Sequence, residues 1–324
     1  MTRFRLCIAG AVALLAGCAA PQTAQLLEHP VPELPARAEL VSVPFYPQEE
    51  HQCGPAALAT ALGAQGVPAT PESLVSETYL PAREGSLTAE MLGATRRHGL
   101  VAYPLRPRLE DVLREVAAGT PVVVLQNLSL PVAPQWHYAV AVGYDLAAGQ
   151  IVLRSGRTQR ELMALADFER SWAPGGHWAM LALPPDRLPA TASAGRYVSA
   201  AVALERVDAA AARRAYQTAL ARWPDDLVAA IGEGNAAYAM GDLAAAEAAY
   251  RAAAGAHPES ADAWNNLAQV LGELHRPEEA RAAALRAVAL GGPRLAQYQE
   301  TLQALGGSGA GQQGSIVPNK EVSK

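Results

Sequence analysis

The sequence predicts an α+β domain followed by an all-α domain. In the first half, helical patterns come before short strands, which is the order of an α+β fold. After a proline-rich segment at 184–189, the composition shifts to alanine-rich helix that repeats at a fixed step. We predict a signal peptide over 1–17, a flexible tether over 18–38, the first domain over 39–184, a linker over 185–192, the repeats over 193–304 and a disordered tail over 305–324.

Periodicity and turn residues place the elements of the first domain. We predict helices over 56–62, 88–98 and 109–118, the last one ended by Gly119. Strands are predicted over 122–125, 137–144, 150–154 and 177–183, and the middle two are expected to form a hairpin.

The alanine-rich half keeps its phase over three copies. Pro258 lies 258 − 224 = 34 residues after Pro224, and Tyr250 follows Tyr216 by the same step. This period and these residue types resemble the tetratricopeptide repeat, in which small side chains let paired helices approach. The resemblance implies a protein partner or a polypeptide substrate for this domain. A generic alanine-rich bundle is the alternative.

The N-terminus follows the secretory pattern. A positively charged start precedes an apolar run over 8–15, which is too short to span a bilayer. Residues 15–18 resemble a lipobox, so Cys18 is expected to carry a lipid. Because Ala19 follows instead of an aspartate, we expect an outer-membrane lipoprotein that faces the periplasm. The alternative is an ordinary signal peptide with an accidental cysteine.

Composition excludes several classes of function. The net charge of −5 and the lack of a clustered basic stripe give no reason to expect nucleic-acid binding. Lysine occurs only at Lys320 and Lys324, which excludes a P-loop, a Schiff-base lysine and a Ser-Lys dyad. Motifs for a metal or serine mechanism are also missing from the sequence. We therefore expect no cofactor, no metal and no nucleotide.

Cys53 is the thiol that export and lipidation do not explain. Of the three cysteines, Cys7 lies in the segment predicted to be removed and Cys18 is the predicted anchor. A single thiol in an oxidising compartment has no disulfide partner. Cys53 stands where an apolar helix begins, and a helix N-terminus stabilises a thiolate, so its position predicts an activated nucleophile. The alternative is a buried, inert thiol.

The neighbours of Cys53 suit a reaction at its sulfur. Pro55 fits the first turn of a helix, and Gly54 is expected to leave room for a substrate carbonyl. The side-chain amide of Gln48 is expected to lie beside the backbone N–H of Cys53. Two such donors would form an oxyanion hole. The alternative for Gln48 is a polar surface residue.

Gln48 together with segments 53–58 and 136–140 resembles the papain-like cysteine peptidases of the bacteriocin-processing type, the double-glycine leader peptidases of family 39. The resemblance covers about residues 41–183 and implies a papain-like fold. It also implies Cys53 as nucleophile, Gln48 as oxyanion donor and His137 as base. The tetratricopeptide part is separate from it.

Two other histidines compete with His137 for the role of base. His177 has a similar setting at the start of a predicted strand, and His51 lies two residues from Cys53. A base must face the thiol from another element, which disfavours His51. We favour His137 because it opens the hairpin expected to face the cysteine helix. His177 is expected to be a packed core residue.

One position departs from the family pattern. In the family, an Asp or Asn at the end of the return strand orients the imidazole, whereas this chain has Ser155 there. Asp145 comes too early, in the hairpin turn. The Ser155 hydroxyl, a backbone carbonyl or a water is expected to take the role. Loss of the carboxylate weakens a triad without abolishing it, and it is also compatible with a pseudoenzyme.

The leading hypothesis is a thiol peptidase anchored to the outer membrane through the Cys18 lipid, with repeats that recruit a polypeptide substrate or protein partner. The leader-peptide role of the family does not transfer, since this chain contains no exporter and carries an export signal of its own. A non-catalytic peptide-binding scaffold and a cell-wall amidase remain as alternatives.

Overall fold

The computed structural model describes residues 20–48 and 52–307. The predicted signal peptide, Cys18, His51 and the tail from residue 308 lie outside these residues. The chain divides into two compact units, which are described separately. The first unit comprises the chain up to His98, Ala102–Leu183 and Pro189–Thr191, and the second comprises Gly99–Val101, Pro184–Leu188 and the chain from Ala192 onward.

A mostly antiparallel sheet is the framework of the first unit. Its strands run in the order β2-β7-β3-β4-β5-β6, and β1 pairs with β4. The strands are β1 (Arg37–Glu39), β2 (Val101–Pro104), β3 (Val122–Asn127), β4 (Trp136–Asp145), β5 (Gln150–Ser155), β6 (Thr158–Ala164) and β7 (Ala179–Leu183). The predicted hairpin is confirmed as β4 and β5, which pair antiparallel from Val140–Arg154 to Asp145–Gln150.

The helices of the first unit include all those predicted. They are α1 (Pro21–Glu28), α2 (Cys53–Gly63), α3 (Pro71–Thr78), α4 (Thr88–Arg97), α5 (Leu109–Ala117) and α6 (Leu165–Trp172). Gly119 has a φ of 88°, which only glycine adopts readily, and it follows the end of α5 as expected. The prediction missed α3, although the Thr70 side chain accepts from the Ser73 backbone N–H in a capping box that the sequence displays.

The segment predicted as a flexible tether is ordered where the structure describes it, so this part of the prediction is wrong. It forms α1 and the beginning of β1. The carboxylate of Glu169 in α6 accepts from the backbone N–H groups of Gln22 and Thr23, at 2.9 and 2.6 Å. These N–H groups begin α1 and have no partner inside the helix, so a buried carboxylate satisfies them. Leu26 of α1 is buried as well.

A second buried carboxylate holds part of the predicted linker. Glu115 of α5 accepts from the backbone N–H groups of Ala190 and Thr191 and from the Thr191 hydroxyl, at 3.1, 2.7 and 2.7 Å. Burial raises the pKa of this carboxyl, and the hydrogen bonds from Thr191 and Ala190 act in the opposite direction. Pro189–Thr191 therefore belong to the first unit.

The second unit consists of paired helices, as the repeat predicts. These are α7 (Ala194–Glu205), α8 (Ala209–Arg222), α9 (Leu227–Ala239), α10 (Leu243–Ala256), α11 (Ala261–Glu273), α12 (Pro277–Leu290) and α13 (Leu295–Gly307). Side chains at Asp208 and Asp242 cap α8 and α10, and side chains at Asp226 and Ser260 cap α9 and α11. Each pair keeps the step of 34 residues (242 − 208 and 260 − 226), so the capping hydrogen bonds repeat with the fold.

Two glycines of α9 let tyrosines from neighbouring helices approach its backbone. A Cβ on Gly232 would lie 2.4 Å from the ring of Tyr216, and a Cβ on Gly234 would lie 2.4 Å from the ring of Tyr250. Both rings are fully buried. The missing side chains therefore make room for the two largest core residues of these helices.

Within residues 20–48 and 52–307, no helix combines the length and the apolar character needed to cross a bilayer.

We expect Gly232→Ala to destabilise the repeat unit by about 1–3 kcal/mol, because the added methyl group would collide with the Tyr216 ring. Thermal unfolding monitored by circular dichroism measures the change. Gly255→Ala in α10 is the matched control, since a Cβ there meets no atom within 4 Å. It should leave stability unchanged or raise it by up to about 1 kcal/mol. Equal effects of the two substitutions would contradict the tyrosine–glycine packing.

Candidate active site

Cys53 is the first residue of α2, as its sequence context predicts. Pro55 lies in the first turn, where its missing N–H leaves no hydrogen bond unmade. Every residue from Gly54 to Leu62 is buried, and the helix packs against β4. The sheet therefore fixes where the N-terminus of α2, and with it the sulfur, is placed.

Gly54 has a different role from the one predicted. A Cβ at this position would lie 2.2 Å from Oγ and 2.6 Å from Cβ of Ser86. Ser86 precedes α4 and occupies the space beside Gly54 that we had assigned to a substrate carbonyl. The glycine is needed because the loop before α4 packs directly on the first turn of α2.

The Cys53 sulfur lies against the backbone of β4. The backbone N–H groups of Tyr138, Gly54 and Cys53 itself act to lower the pKa of the thiol, but burial has the larger effect and raises this pKa. The predicted activation by the helix N-terminus is therefore wrong for the resting site, which holds a neutral thiol. Activation of this thiol requires a base.

His137 lies near the start of β4, one residue before Tyr138. Its Nε2 lies 3.0 Å from Oγ of Ser155, the last residue of β5. Burial lowers the pKa of the imidazole, and the carboxylate of Glu161 acts more weakly in the opposite direction. The ring is therefore neutral near pH 7, which is the form that accepts a proton. The structure places Ser155 where the resemblance places an orienting group.

Gln48 is held between the same strands. Its side-chain Nε2 donates to the backbone carbonyl of Tyr138 at 3.2 Å, and its backbone N–H donates to the carbonyl of Gly156 at 3.0 Å. An amide nitrogen carries two hydrogens, so one donor of Gln48 is left for a second acceptor. The alternative of an unattached surface residue does not fit these two contacts.

The four candidate residues thus meet around one short stretch of β4. Cys53 and Gln48 both contact the backbone of Tyr138, and His137 carries its ring on the preceding residue to Ser155. Among the residues that the structure describes, no hydrogen bond joins the sulfur to the imidazole. Catalytic hydrogen bonds are often long before substrate binds. The catalytic roles of these residues stay predictions.

His177 does not stand on a strand, contrary to the prediction. The last strand begins at Ala179, and His177 has a φ of 55° in the preceding turn. Its ring packs edge-on against Trp172, with centroids 4.8 Å apart. This contact supports the expectation that His177 is a packing residue. His51 lies outside the described residues.

Sequence reasoning missed two contributors to this site, Ser86 and the backbone amide of Tyr138. Ser86 is distant from Cys53 in sequence, and only tertiary packing brings it to Gly54. A backbone N–H carries no sequence signal of its own, because every residue except proline has one.

Two family models match this chain. Residues 40–180 match the Peptidase_C39 like family, and residues 231–294 match the tetratricopeptide repeat. The first unit is thus a Peptidase_C39-like domain with the predicted α+β fold, and tetratricopeptide repeats follow it. The predicted fold class is confirmed.

Solved structures similar to this chain include a crystal structure described as a C39-like peptidase from Bacillus anthracis. It is 18% identical with a TM-score of 0.38, and the match covers 45% of this chain and 97% of that one. A double glycine motif protease from an AMS/PCAT transporter, in complex with the leader peptide, is 20% identical with a TM-score of 0.35. That match covers 45% of this chain and 93% of the other. No curated protein sequence matches this chain.

We expect Gly54→Ala to destabilise the first unit by about 1–3 kcal/mol, because Ser86 already fills the space that the methyl group would need. Thermal unfolding measures this change. Ser86→Gly in the Gly54→Ala background removes the colliding atoms and should restore part of the loss. If the second substitution adds to the damage instead, Ser86 is not the source of the constraint.

Proposed function

We propose that this protein is a thiol peptidase in which Cys53 is the nucleophile, His137 the general base and Gln48 an oxyanion donor. The observation that carries the proposal is the convergence of the sulfur, the Gln48 amide and the His137–Ser155 pair on one stretch of β4. The Peptidase_C39-like domain supports a cysteine peptidase as the class of enzyme.

Proton transfer begins the reaction. Because Nε2 of His137 is engaged with Ser155, the other ring nitrogen, Nδ1, is the atom that accepts the thiol proton. The Nε2–H then donates to the Ser155 hydroxyl, which holds the ring in this tautomer. The sulfur attacks the carbonyl carbon of the scissile peptide as its proton moves to Nδ1. The imidazolium next protonates the leaving amine, and water hydrolyses the thioester that remains.

The tetrahedral intermediate places a negative charge on the former carbonyl oxygen. The free side-chain N–H of Gln48 and the backbone N–H of Cys53 are the proposed donors to this oxygen. The bonds that Gln48 makes to Tyr138 and Gly156 limit the positions its amide can take. Such preorganisation means that little reorganisation is needed as the charge develops.

Ser155 takes the place of a carboxylate. A hydroxyl orients the imidazole through a hydrogen bond, but it carries no charge to stabilise the imidazolium. The proposal therefore predicts a slow enzyme rather than a different reaction.

We propose that the peptidase works in the bacterial cell envelope, anchored by a lipid on Cys18 and facing the periplasm. The repeats recruit the polypeptide substrate or a protein partner. The order of α1 supports a short connection, because Pro21 begins a helix held on the domain by Glu169. The three residues between Cys18 and this helix span at most about 10 Å.

A non-catalytic peptide-binding protein is the second candidate function. The raised pKa of the Cys53 thiol favours it, because a buried neutral thiol is inert without an effective base. The same domain would then bind a peptide segment without cleaving it.

The pH dependence of Cys53 alkylation by iodoacetamide distinguishes the two candidates. In a chain beginning at Ala19, we expect the rate to rise as His137 loses its proton, below the ordinary histidine pKa of about 6.5, because burial lowers this pKa. At pH 7, His137→Ala should react roughly 100-fold more slowly. In that variant, the rate should rise only as the thiol itself ionises, above its ordinary pKa of about 8.5.

His177→Asn is the matched control, since asparagine tolerates the positive φ at this position. It should retain the profile of the unmodified chain. Identical profiles for the His137→Ala variant and the unmodified chain would reject the Cys53–His137 pair and favour the binding protein.

Substitutions at Ser155 test its role as the orienting group. Ser155→Ala should slow the alkylation of Cys53 at pH 7 by about tenfold, which corresponds to the loss of one hydrogen bond to a group that becomes charged. Ser155→Asp should exceed the rate of the unmodified chain, because a carboxylate stabilises the imidazolium. It should also move the acid limb to higher pH, since a nearby negative charge raises the pKa of His137. No change with either substitution would show that another group orients the ring.

A further inference from the structure

The loop that precedes His137 exposes an unusual amount of apolar surface. We use the term apolar loop for residues 128–136, which join β3 to β4 and include the first residue of β4. Its large apolar side chains and their exposed fractions are Leu128 (47%), Leu130 (68%), Val132 (90%) and Trp136 (48%). Exposed apolar residues are ordinary when scattered, but a contiguous group marks a surface that binds something.

The apolar loop has a defined conformation. The side chain of Asn127 accepts from the backbone N–H groups of Ser129 and Gln135, at 3.1 and 2.9 Å. The N–H of Leu128 donates to the carbonyl of Gln135 at 2.9 Å, which closes the base of the loop. The apolar side chains are therefore held in place at the tip instead of collapsing onto the domain.

The apolar loop leads directly into the proposed site. Trp136 precedes His137, and it lies two residues before Tyr138, whose N–H contacts the Cys53 sulfur. Two residues of strand span about 7 Å, which is the length of two residues of an extended peptide. The ring of Trp136 also lies beside Gly175, where a Cβ would be 3.6 Å away. A polypeptide with its scissile bond at Cys53 would pass next to this ring.

We infer that the apolar loop selects the substrate by receiving a bulky apolar side chain close to the scissile bond. This inference rests on the proposed peptidase function and names its substrate class, a polypeptide with leucine, phenylalanine or methionine near the cleaved bond. Burial of such a side chain against Trp136 and the loop tip removes apolar surface of both partners from water. Discrimination of about tenfold or more against a small polar side chain follows from that burial.

The charges around the loop favour a polypeptide over a membrane as the occupant. Residues 127–138 contain no Lys, Arg, Asp or Glu. Segments that lie on bilayers commonly add basic residues to their apolar face, because bacterial and other anionic lipids attract them. The apolar loop has no such residue, whereas the sulfur, the imidazole and the oxyanion donor all meet at its end.

Cleavage of a peptide library tests the inference. The probe is a tryptic digest of a denatured bacterial proteome, and mass spectrometry reads the residues on both sides of each new cleavage. We expect leucine, phenylalanine or methionine to be preferred over serine by at least about tenfold at one position. In the double variant Leu130→Ser/Val132→Ser, this preference should fall to about twofold or less. Each preference is a ratio within one protein, so the variants need not be equally active.

Leu162→Ser is the matched control, because Leu162 is exposed to a similar extent (48%) but lies on β6. It should keep the full preference. Circular dichroism checks that each variant is folded, and the loop tip was chosen because its side chains pack little.

The outcomes separate the inference from the proposed function. Cleavage without an apolar preference, or with one that the double variant retains, overturns the inference and leaves the peptidase standing. The absence of any cleavage also overturns the inference, and the His137 dependence of alkylation then decides whether the activated pair survives. Sedimentation with phosphatidylethanolamine–phosphatidylglycerol vesicles covers the membrane. If the double variant loses vesicle binding but keeps its cleavage preference, the loop belongs to the membrane instead.

Discussion

The contact between the N-terminus of α2 and the backbone of β4 determines how the proposed site is built. The Tyr138 N–H reaches the Cys53 sulfur, and the Tyr138 carbonyl accepts from Gln48. One peptide unit of the central strand therefore positions the nucleophile and the oxyanion donor, and the preceding residue supplies the base. Gly54 permits this arrangement, since any side chain there would push α2 away from Ser86.

The burial that makes this contact precise also determines the chemistry of the site. It raises the pKa of the thiol and lowers that of His137, so both groups are neutral at rest. Such a pair reacts only when proton transfer accompanies attack on a substrate. Ser155 fits this state, because a neutral hydroxyl orients a neutral imidazole without charging it in advance.

Buried carboxylates connect the peptidase domain to the segments on either side of it. Glu169 holds the start of α1, and Glu115 holds the segment around Thr191. Both glutamates are at least 98% buried and satisfy backbone N–H groups, so the loss of either side chain would leave buried donors without partners. The proposed lipid anchor and the repeats thus follow ordered chain in both directions.

The sequence by itself determined the order of the domains, the repeat, the hairpin and the helix that begins at Cys53. These features depend on local patterns: the periodicity of apolar residues, the capping side chains and the turn glycines such as Gly119. Even the position of Ser155 could be read from its distance to His137, because hairpin register is a local property.

Only the tertiary structure decided the rest. The thiol pKa depends on burial, the role of Gly54 on Ser86, and the order of α1 on Glu169. Each of these involves groups far apart in sequence, and no local pattern encodes which of them meet. The exposure of the apolar loop is decided in the same way, since whether an apolar side chain is buried or offered to a substrate depends on what packs against it.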